Sequence, residues 1–330
     1  MLNSDRSDLV KYPTFAAPWT VSGNELRSVG GRYVRAAGAA TTGYANLPSS
    51  WSQAQTWMRK YRKIGLRVGR PHHIDRMLLD NAAHKDRFQL YLNAGRYYGI
   101  PMMLEAMSEA FDKSKLAAGD FTGWTSYLDL LFSMDLSNVV AMCPVNEPLP
   151  TPPEVFAMQV KELRKRGYKG LIFGSNANIQ GGEYGDLEDS HNYTGHPEVK
   201  DGKLVYYDCS YPEWSNVLTY NTNLPRIVTE CGMLKGPQQG GSDVRFYDDC
   251  QPKEVVINGA YAVRSCQVVI AHALCTSWED WSSNTSEDRD YQAFINNPVR
   301  MRALDWLVQR MAGQVEPTYL YNTSPTYRLT

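Results

Sequence analysis

Residues 139–174, VVAMCPVNEPLPTPPEVFAMQVKELRKRGYKGLIFG, carry one complete strand–helix–strand pattern. The pattern begins with an apolar run, Val139 to Val145, of the kind that forms a strand buried on both faces. Thr151-Pro152-Pro153 then predicts the start of a helix, because proline suits the first helical turn, and the helical spacing ends at Gly167. A second apolar run, Leu171 to Gly174, follows directly. Two strands joined by one helix predict a parallel pair.

The same alternation continues along the whole chain of 330 residues. Short apolar runs rich in β-branched residues recur roughly every 30 to 40 residues, and stretches of helical period separate most of them. Among the predicted helices, one begins at Trp51 and ends before Gly65, and the last covers Val299 to Met311. The predicted strands are Arg32 to Ala37, Leu66 to Arg70, Pro101 to Glu105, Val139 to Val145, Leu171 to Gly174, a weaker run that ends near His191, Arg226 to Glu230, and Val268 to Trp278. This alternation predicts an α/β fold, the (β/α)₈ TIM barrel.

An open, doubly wound sheet is the alternative architecture. A sheet of that type that binds a dinucleotide carries the pattern G-x-G-x-x-G after its first strand. Here the first predicted strand runs into Ala37-Gly38-Ala39-Ala40-Thr41-Thr42-Gly43, which lacks the pattern, so the barrel is favoured. No linker rich in Pro, Gly or Ser divides the units. We therefore predict a single domain over residues 1–330, with residues 1–30 as an N-terminal extension that packs on the barrel.

Composition excludes several classes of function. The chain is 43% hydrophobic and 21% charged, with a net charge of −1, so it lacks the basic surface that nucleic acids or anionic membranes require. Residues 1–12 are polar and contain no apolar signal-peptide segment, and no run approaches the ~18 apolar residues of a membrane span. The cysteines show no C-x-x-C spacing, and Cys143 is interpreted as a core residue. Because His-Glu-x-x-His, Walker A and Gly-x-Ser-x-Gly patterns are also absent, we expect no metal and no cofactor.

Two carboxylates stand where a barrel places its reacting groups, at the carboxyl ends of strands. They are Glu147, in Val-Asn-Glu-Pro after the fourth strand, and Glu230, in Ile-Val-Thr-Glu-Cys-Gly at the seventh. Glycosidic cleavage needs such a pair, because one carboxyl protonates the leaving oxygen and the other meets the anomeric carbon. If both point into the barrel mouth, a separation of about 5 to 5.5 Å is reachable, which indicates a retaining reaction. The simpler interpretation of Glu147 is that it caps the following helix.

The order of these motifs resembles clan A of the glycoside hydrolases, and family 5 most closely. Asn146-Glu147-Pro148, Glu230, the second-strand segment Gly65 to Pro71 and His191-Asn192-Tyr193 carry the resemblance. It implies a role for each matching residue: Arg70 contacts the nucleophile, Asn146 binds the sugar 2-hydroxyl, Glu147 is the acid/base, His191 and Tyr193 form the His-x-Tyr pair whose tyrosine bonds the nucleophile, Glu230 is the nucleophile, and Trp278 forms the floor under the sugar.

One feature departs from the family pattern. Family 5 commonly has a histidine at the end of its third strand, and residues 102–110, MMLEAMSEA, contain none. Glu105 or His72 is the candidate for that place, and His72 is also a candidate substrate contact. The subfamily, and with it the sugar, stays open at this point.

The resemblance implies a retaining hydrolase that cleaves β-linked glycosidic bonds by double displacement, endo-acting on a polysaccharide of the β-glucan or β-mannan type. It implies a monomer whose partner is an oligo- or polysaccharide, in a secreted or extracellular location, although this chain shows no signal peptide. Two alternatives use the same fold. One is a barrel that binds glycans without hydrolysing them. The other is a transglycosylase with the same two carboxylates.

Overall fold

The computed structural model describes residues 14–42, 47–63, 65–71, 74–81, 83–107, 110–147, 151–174, 185–194, 197–200, 203–206, 224–233, 267–271, 308 and 311. At positions 39–42, 190–194, 197–200, 203–206, 230–233, 269 and 271 the description covers the backbone. Several predictions lie wholly or partly outside the described residues. They are His72, residues 1–13 of the N-terminal extension, residues 272–278 of the last predicted strand (including Trp278), and most of the last predicted helix, of which Val308 and Met311 are described and helical.

The described strands, in chain order, are β1 (Thr20–Ser22), β2 (Glu25–Arg27), β3 (Ala36–Thr42), β4 (Val68–Pro71), β5 (Met102–Glu105), β6 (Val139–Cys143), β7 (Leu171–Ile172), β8 (Glu188–Thr194), β9 (Pro197–Lys200), β10 (Lys203–Tyr206), β11 (Arg226–Met233) and β12 (Val268–Ala271). The described helices are α1 (Trp51–Lys63), α2 (Ile74–Asp80), α3 (Ala83–Tyr98), α4 (Lys113–Ala117), α5 (Trp124–Phe132) and α6 (Pro153–Lys165). None of the helices in the described part of the chain is long and apolar enough to cross a bilayer.

Eight of the strands form one parallel sheet in the order β7-β6-β5-β4-β3-β12-β11-β8. A parallel bridge between Phe173 and Leu187 joins the two ends of that order, because Phe173 follows β7 and Leu187 precedes β8. The sheet is therefore closed, and the predicted (β/α)₈ barrel is confirmed. The pairs β1–β2 and β9–β10 are separate antiparallel hairpins.

The first barrel strand begins later than the sequence predicts. Arg32 to Ala37 was the expected range, whereas β3 covers Ala36–Thr42. The reason is that Tyr33 pairs with Arg27 and the Val34 N–H donates to the Leu26 carbonyl, so this segment extends the N-terminal hairpin. The small residues that follow then form the strand. Gly38 permits this close pairing, because a Cβ there would lie 2.6 Å from the Val68 carbonyl oxygen.

Helix α1 ends where the sequence predicts. Its buried face is Ala54, Trp57 and Met58, and Gly65 follows its last turn. Gly65 has a φ of 93°, and a Cβ at this position would lie 2.7 Å from the Val308 side chain. A glycine is required here by both the left-handed backbone and the packing against the helix that carries Val308.

Two apolar clusters divide the core. Val68 and Met103 belong to an inner cluster contributed by the barrel strands, and Leu104 belongs to an outer cluster between the strands and the helices. Because side chains along a strand alternate between faces, Arg70 and Glu105 lie on the same inner face as Val68 and Met103. Arg70 and Glu105 lie two residues beyond Val68 and Met103, toward the carboxyl ends of the strands.

The N-terminal hairpin covers the opposite end of the barrel interior. Trp19 and Leu26 are buried in the inner cluster. Gln267, one residue before β12, accepts from the Leu26 N–H at 2.8 Å and donates to the Val34 carbonyl at 3.1 Å. The hairpin thus closes the amino ends of the strands. That residues 1–30 form a distinct extension of one catalytic domain stays a prediction.

Candidate active site

Arg70 is the centre of a buried polar layer at the carboxyl ends of the barrel strands. Its side chain is fully buried, and Nη2 donates to Asn146 Oδ1 at 2.7 Å. The same nitrogen lies 3.1 Å from Glu105 Oε2, and both side chains of this ion pair are 0% exposed. Nη1 donates to the Thr229 carbonyl oxygen at 3.4 Å. One guanidinium therefore connects β4 with β5, with the loop after β6 and with β11.

The buried charge of Arg70 requires these contacts. An ion taken out of water loses several kcal/mol of hydration, which a well-placed opposite charge and hydrogen bonds offset. Glu105 supplies the opposite charge. Of the two candidates for the place of the absent family histidine, the structure thus assigns Glu105 to a contact with Arg70, and His72 lies outside the described residues.

Asn146 presents its side chain in a defined orientation. It is 8% exposed, and its amide oxygen accepts from Arg70. An amide whose oxygen faces a guanidinium carries its N–H donors on the other side. The backbone N–H of Asn146 donates to the Met107 carbonyl at 2.8 Å, which ties the loop after β6 to the end of β5.

Glu147 has an unusual backbone. Its φ is 43°, and among the described residues no other non-glycine has a positive φ. The left-handed region costs an ordinary residue roughly 1–2 kcal/mol, and such residues concentrate at functional sites. The residue is exposed, while the preceding Asn146 is buried. Its carbonyl accepts from Lys113 Nζ at 3.4 Å.

The simpler interpretation of Glu147, as a cap for the next helix, is wrong. Helix α6 begins at Pro153 with Pro152 as its N-cap residue, and no side chain caps it. Proline at the first turn removes one of the backbone donors that a cap would satisfy. Capping of α6 therefore does not explain the left-handed backbone of Glu147.

Glu230 lies in β11, next to the strand that carries His191 and Tyr193. Its Cα pairs with that of His191 in β8, and Tyr193 pairs with Gly232 further along the same ladder. The side chains of these three residues lie outside the described atoms, as does the separation of the Glu147 and Glu230 carboxyl groups. The backbone nevertheless places the three positions at the carboxyl end of two adjacent strands.

Asp189 and Thr229 extend the polar layer, and sequence reasoning missed both. Asp189 in β8 is 5% exposed and accepts two hydrogen bonds from Thr229, at 2.8 Å from the backbone N–H and 2.6 Å from Oγ1. Leu187 and Ile227 belong to the inner cluster, and Asp189 and Thr229 stand two residues beyond them. Extending the two-residue alternation past each apolar run would have found them.

Tyr127 and Asp75 are two further buried polar residues, and Tyr127 lies near Glu105. Burial, together with the nearby charges of Asp75 and Glu105, raises the pKa of Tyr127 well above its ordinary value. Asp75 in α2 is 1% exposed and accepts from the Ala110 N–H at 3.0 Å. A raised pKa favours the neutral form of the phenol.

Clusters of metal-ligating side chains are absent from the part of the chain that the structure describes. Within these residues, no group of three or more His, Cys, Asp or Glu side chains is arranged to hold a metal ion. Cys143 is buried in the inner cluster, as the core interpretation predicts.

The sequence matches no protein-family model, and no curated protein matches it either. Solved structures do match. A glycoside hydrolase family 5 mannosidase from Rhizomucor miehei has a TM-score of 0.61 at 10% identity, covering 92% of this chain and 99% of that one. A β-glucanase from Saccharophagus degradans in complex with cellotetraose gives 0.56 at 12% identity, covering 90% and 95%. A GH113 β-1,4-mannanase gives 0.54 at 12% identity, covering 82% and 98%.

At identities of 10–12%, these likenesses establish the fold alone. They confirm the barrel, and they confirm the resemblance to family 5 at the level of architecture. The coverage of both chains agrees with a barrel of similar extent.

Proposed function

We propose that the protein is a retaining glycoside hydrolase that cleaves β-linked sugars, with Glu147 as acid/base and Glu230 as nucleophile. The observation that carries the proposal is the placement of Arg70. Its guanidinium binds the side chain of Asn146 and the carbonyl of Thr229, which are the residues immediately before Glu147 and Glu230. The residues that precede the two glutamates, on well-separated strands, thus bind the same buried cation, at the end of the barrel where such folds react.

The two carboxyl groups have complementary tasks in this reaction. In the first step Glu230 attacks the anomeric carbon while Glu147 gives its proton to the leaving oxygen, which forms a glycosyl–enzyme ester. In the second step Glu147 takes a proton from water, and the resulting hydroxide displaces Glu230 from the sugar. Glu147 is exposed, and it is therefore suited to exchange protons with solvent between the steps.

Arg70 and Asn146 support these steps. The positive charge near the backbone of Glu230 favours a carboxylate there over a neutral acid. The amide of Asn146, oriented by Arg70, presents N–H donors that suit the sugar 2-hydroxyl. Such a bond strengthens as positive charge develops on the ring, and it contributes to the transition state.

The substrate that we propose is a β-linked mannan or glucan, cleaved internally. Three solved structures with a similar barrel support this class, because their names are those of an endo-1,4-β-mannanase, a β-glucanase and a β-1,4-mannanase. No described residue distinguishes mannose from glucose. Hydrolysis therefore has to be measured on both polysaccharides.

The test compares Glu147→Gln and Glu230→Gln with the unaltered protein on β-mannan and β-glucan, by release of reducing ends. General acid/base catalysis contributes about 10²–10⁴-fold, and we expect Glu147→Gln to lose at least that much activity. Glu230→Gln should lose more, because no covalent step remains. Glu154→Gln, an exposed glutamate on α6, is the matched control and should keep full activity.

The anomer released first tests the stereochemical half of the proposal. A retaining enzyme releases the β-anomer from a β-linked substrate, and proton NMR during early turnover distinguishes it from the α-anomer. Prior release of the α-anomer would rule out the double displacement. An unaltered protein that binds these glycans and releases no reducing ends would instead be a glycan-binding barrel, and one that makes longer oligosaccharides would be a transglycosylase.

A further inference from the structure

Strand β11 contains one extra residue directly before Glu230. On the β8 side, Val228 pairs with Ser190 and Glu230 pairs with His191, so Thr229 has no counterpart of its own in that strand. On the β12 side, Val228 pairs with Val269 and Cys231 pairs with Ala271, so β11 again contains one residue more than its neighbour. The pairing of β11 with β8 and its pairing with β12 therefore both show a β-bulge at this point.

The bulge changes which side of the sheet the following residues take. Ile227 belongs to the inner cluster, so in a regular strand residue 229 would face the interior and residue 230 the helices. A shift of one residue reverses that assignment for every later position. Bulges are concentrated next to active sites because they redirect side chains in this way. The face available to residue 230 thus depends on the bulge.

Asp189 holds the bulge from the neighbouring strand. An inserted residue disrupts the local ladder, and its backbone N–H needs another acceptor. Asp189 Oδ1 accepts from the Thr229 N–H at 2.8 Å, and Oδ2 accepts from Thr229 Oγ1 at 2.6 Å. Both residues are buried, at 5% and 0% exposure. Hydrogen bonds to a carboxylate are about twice as strong as neutral ones, so this two-point contact defines one geometry.

We propose that Asp189 is a positioning residue for Glu230: by binding Thr229 at two points it stabilises the bulge in β11 and sets the position of the nucleophile. The inference rests on the proposed function for the role of Glu230. The bulge and its two hydrogen bonds stand independently of that function. In this scheme Asp189 acts through Thr229, the residue that precedes Glu230.

Graded variants test the proposal. Misplacement of a reacting group by about 1 Å costs roughly 100-fold in rate, so Asp189→Ala should lower kcat about 100-fold with KM changed less than about threefold. Thr229→Val keeps the backbone donor and loses the hydroxyl, and an intermediate loss of about 10-fold is expected. Thr229→Ser restores the hydroxyl and should recover most of kcat.

A matched control separates positioning from general stability. Asn138 is buried near the amino end of β6 and donates to the carbonyls of Leu92 and Ile100. Asn138→Leu removes two buried hydrogen bonds at the opposite end of the barrel, so it should lower the unfolding temperature and leave kcat unchanged. A loss of kcat in Asp189→Ala no larger than in Asn138→Leu would overturn the proposal. If Asp189→Ala does not fold, Thr229→Val and Thr229→Ser carry the same comparison.

A second measurement tests the role of Asp189 without any substrate turnover. Amide hydrogen exchange at Thr229, followed by NMR, should be slow in the unaltered protein and much faster in Asp189→Ala. Unchanged protection would show that Asp189 does not hold the bulge. If the unaltered protein hydrolyses no β-glycan, the proposed function fails, while this exchange experiment still decides whether Asp189 stabilises the bulge.

Discussion

The two ends of the barrel interior are filled in opposite ways. At the amino ends of the strands, Trp19 and Leu26 of the hairpin pack on apolar strand residues, and Gln267 supplies hydrogen bonds to the backbone. At the carboxyl ends, Arg70 and Glu105 form an ion pair that is as completely buried as any leucine in the core. The apolar end supplies stability at low cost. The charged end is stable only while each partner is present.

This difference indicates what each end does. Burial of a matched ion pair is on average no more stabilising than an apolar pair of the same volume, whereas loss of one partner costs about 3–5 kcal/mol. Stability alone therefore does not explain the charged layer. The charged layer instead fixes the positions of Asn146 and Thr229. Because these residues precede the two glutamates, it also fixes the backbone before each glutamate.

The largest effect is expected from Arg70→Met. It leaves Glu105 buried without its cation, so we expect a loss of about 3–5 kcal/mol in the free energy of unfolding together with loss of hydrolysis. Urea denaturation followed by circular dichroism measures the first, and reducing-end release measures the second. A stability close to that of the unaltered protein would show that the ion pair is less important than its burial implies.

The double variant Arg70→Met, Glu105→Leu sharpens the same comparison. Replacing both charges by apolar groups should recover most of the lost stability, because no uncompensated charge remains. Hydrolysis should stay absent, since the guanidinium that binds both Asn146 and Thr229 has been removed. Recovery of both properties together would assign the layer a purely structural role.

Periodicity was sufficient to predict the barrel, because each buried strand and each helix stripe has its own repeat. It also pointed to Arg70 and Asn146, which end such runs and lie together in the buried polar layer, whereas the role of Glu147 stays a prediction. It did not predict that Glu105 is the ion partner of Arg70, since the family resemblance provides a histidine there. Contacts between strands are set by register, which no single strand reveals.

Two local features of the fold could not be predicted from the sequence, for the same reason. The β-bulge at Thr229 is an offset between neighbouring strands, so the run from Arg226 to Glu230 looks like a regular strand when it is read alone. The start of β3 was misplaced because residues 33 and 34 pair with the hairpin, a partner distant from the barrel pattern. Both errors concern which segment pairs with which, and neither concerns the type of element.

At the amino end, Leu26→Ala should separate stability from function. Leu26 is 0% exposed in the inner cluster, and truncation of a buried leucine costs about 2–5 kcal/mol through lost burial and the cavity left behind. We expect a lower unfolding temperature and an unchanged kcat at temperatures where the protein is folded. A marked loss of kcat in the folded variant would contradict the division of the barrel into a stabilising end and a reactive end.

The smallest effect is expected beside the ion pair, at Tyr127. The phenol is buried, its pKa is raised above the ordinary value, and its hydroxyl has no hydrogen-bond partner among the described residues. A raised pKa means that its contribution to stability is complete below pH ~10 and is lost as the unfolded chain ionises above that pH. Tyr127→Phe should therefore change stability at pH 7 by less than about 1 kcal/mol and reduce the alkaline loss.

Tyr168 provides the contrast for that measurement. Its hydroxyl donates to the Leu171 carbonyl at 3.3 Å, and burial raises its pKa as well. Tyr168→Phe should reduce the alkaline loss in the same way, but it should also cost about 1 kcal/mol at pH 7, because a buried carbonyl loses its donor. Urea unfolding of both variants at pH 7 and above pH 10 tests the difference. Equal costs at pH 7 would mean that the Tyr127 hydroxyl has a role in the charged layer as a donor to Asp75 or Glu105.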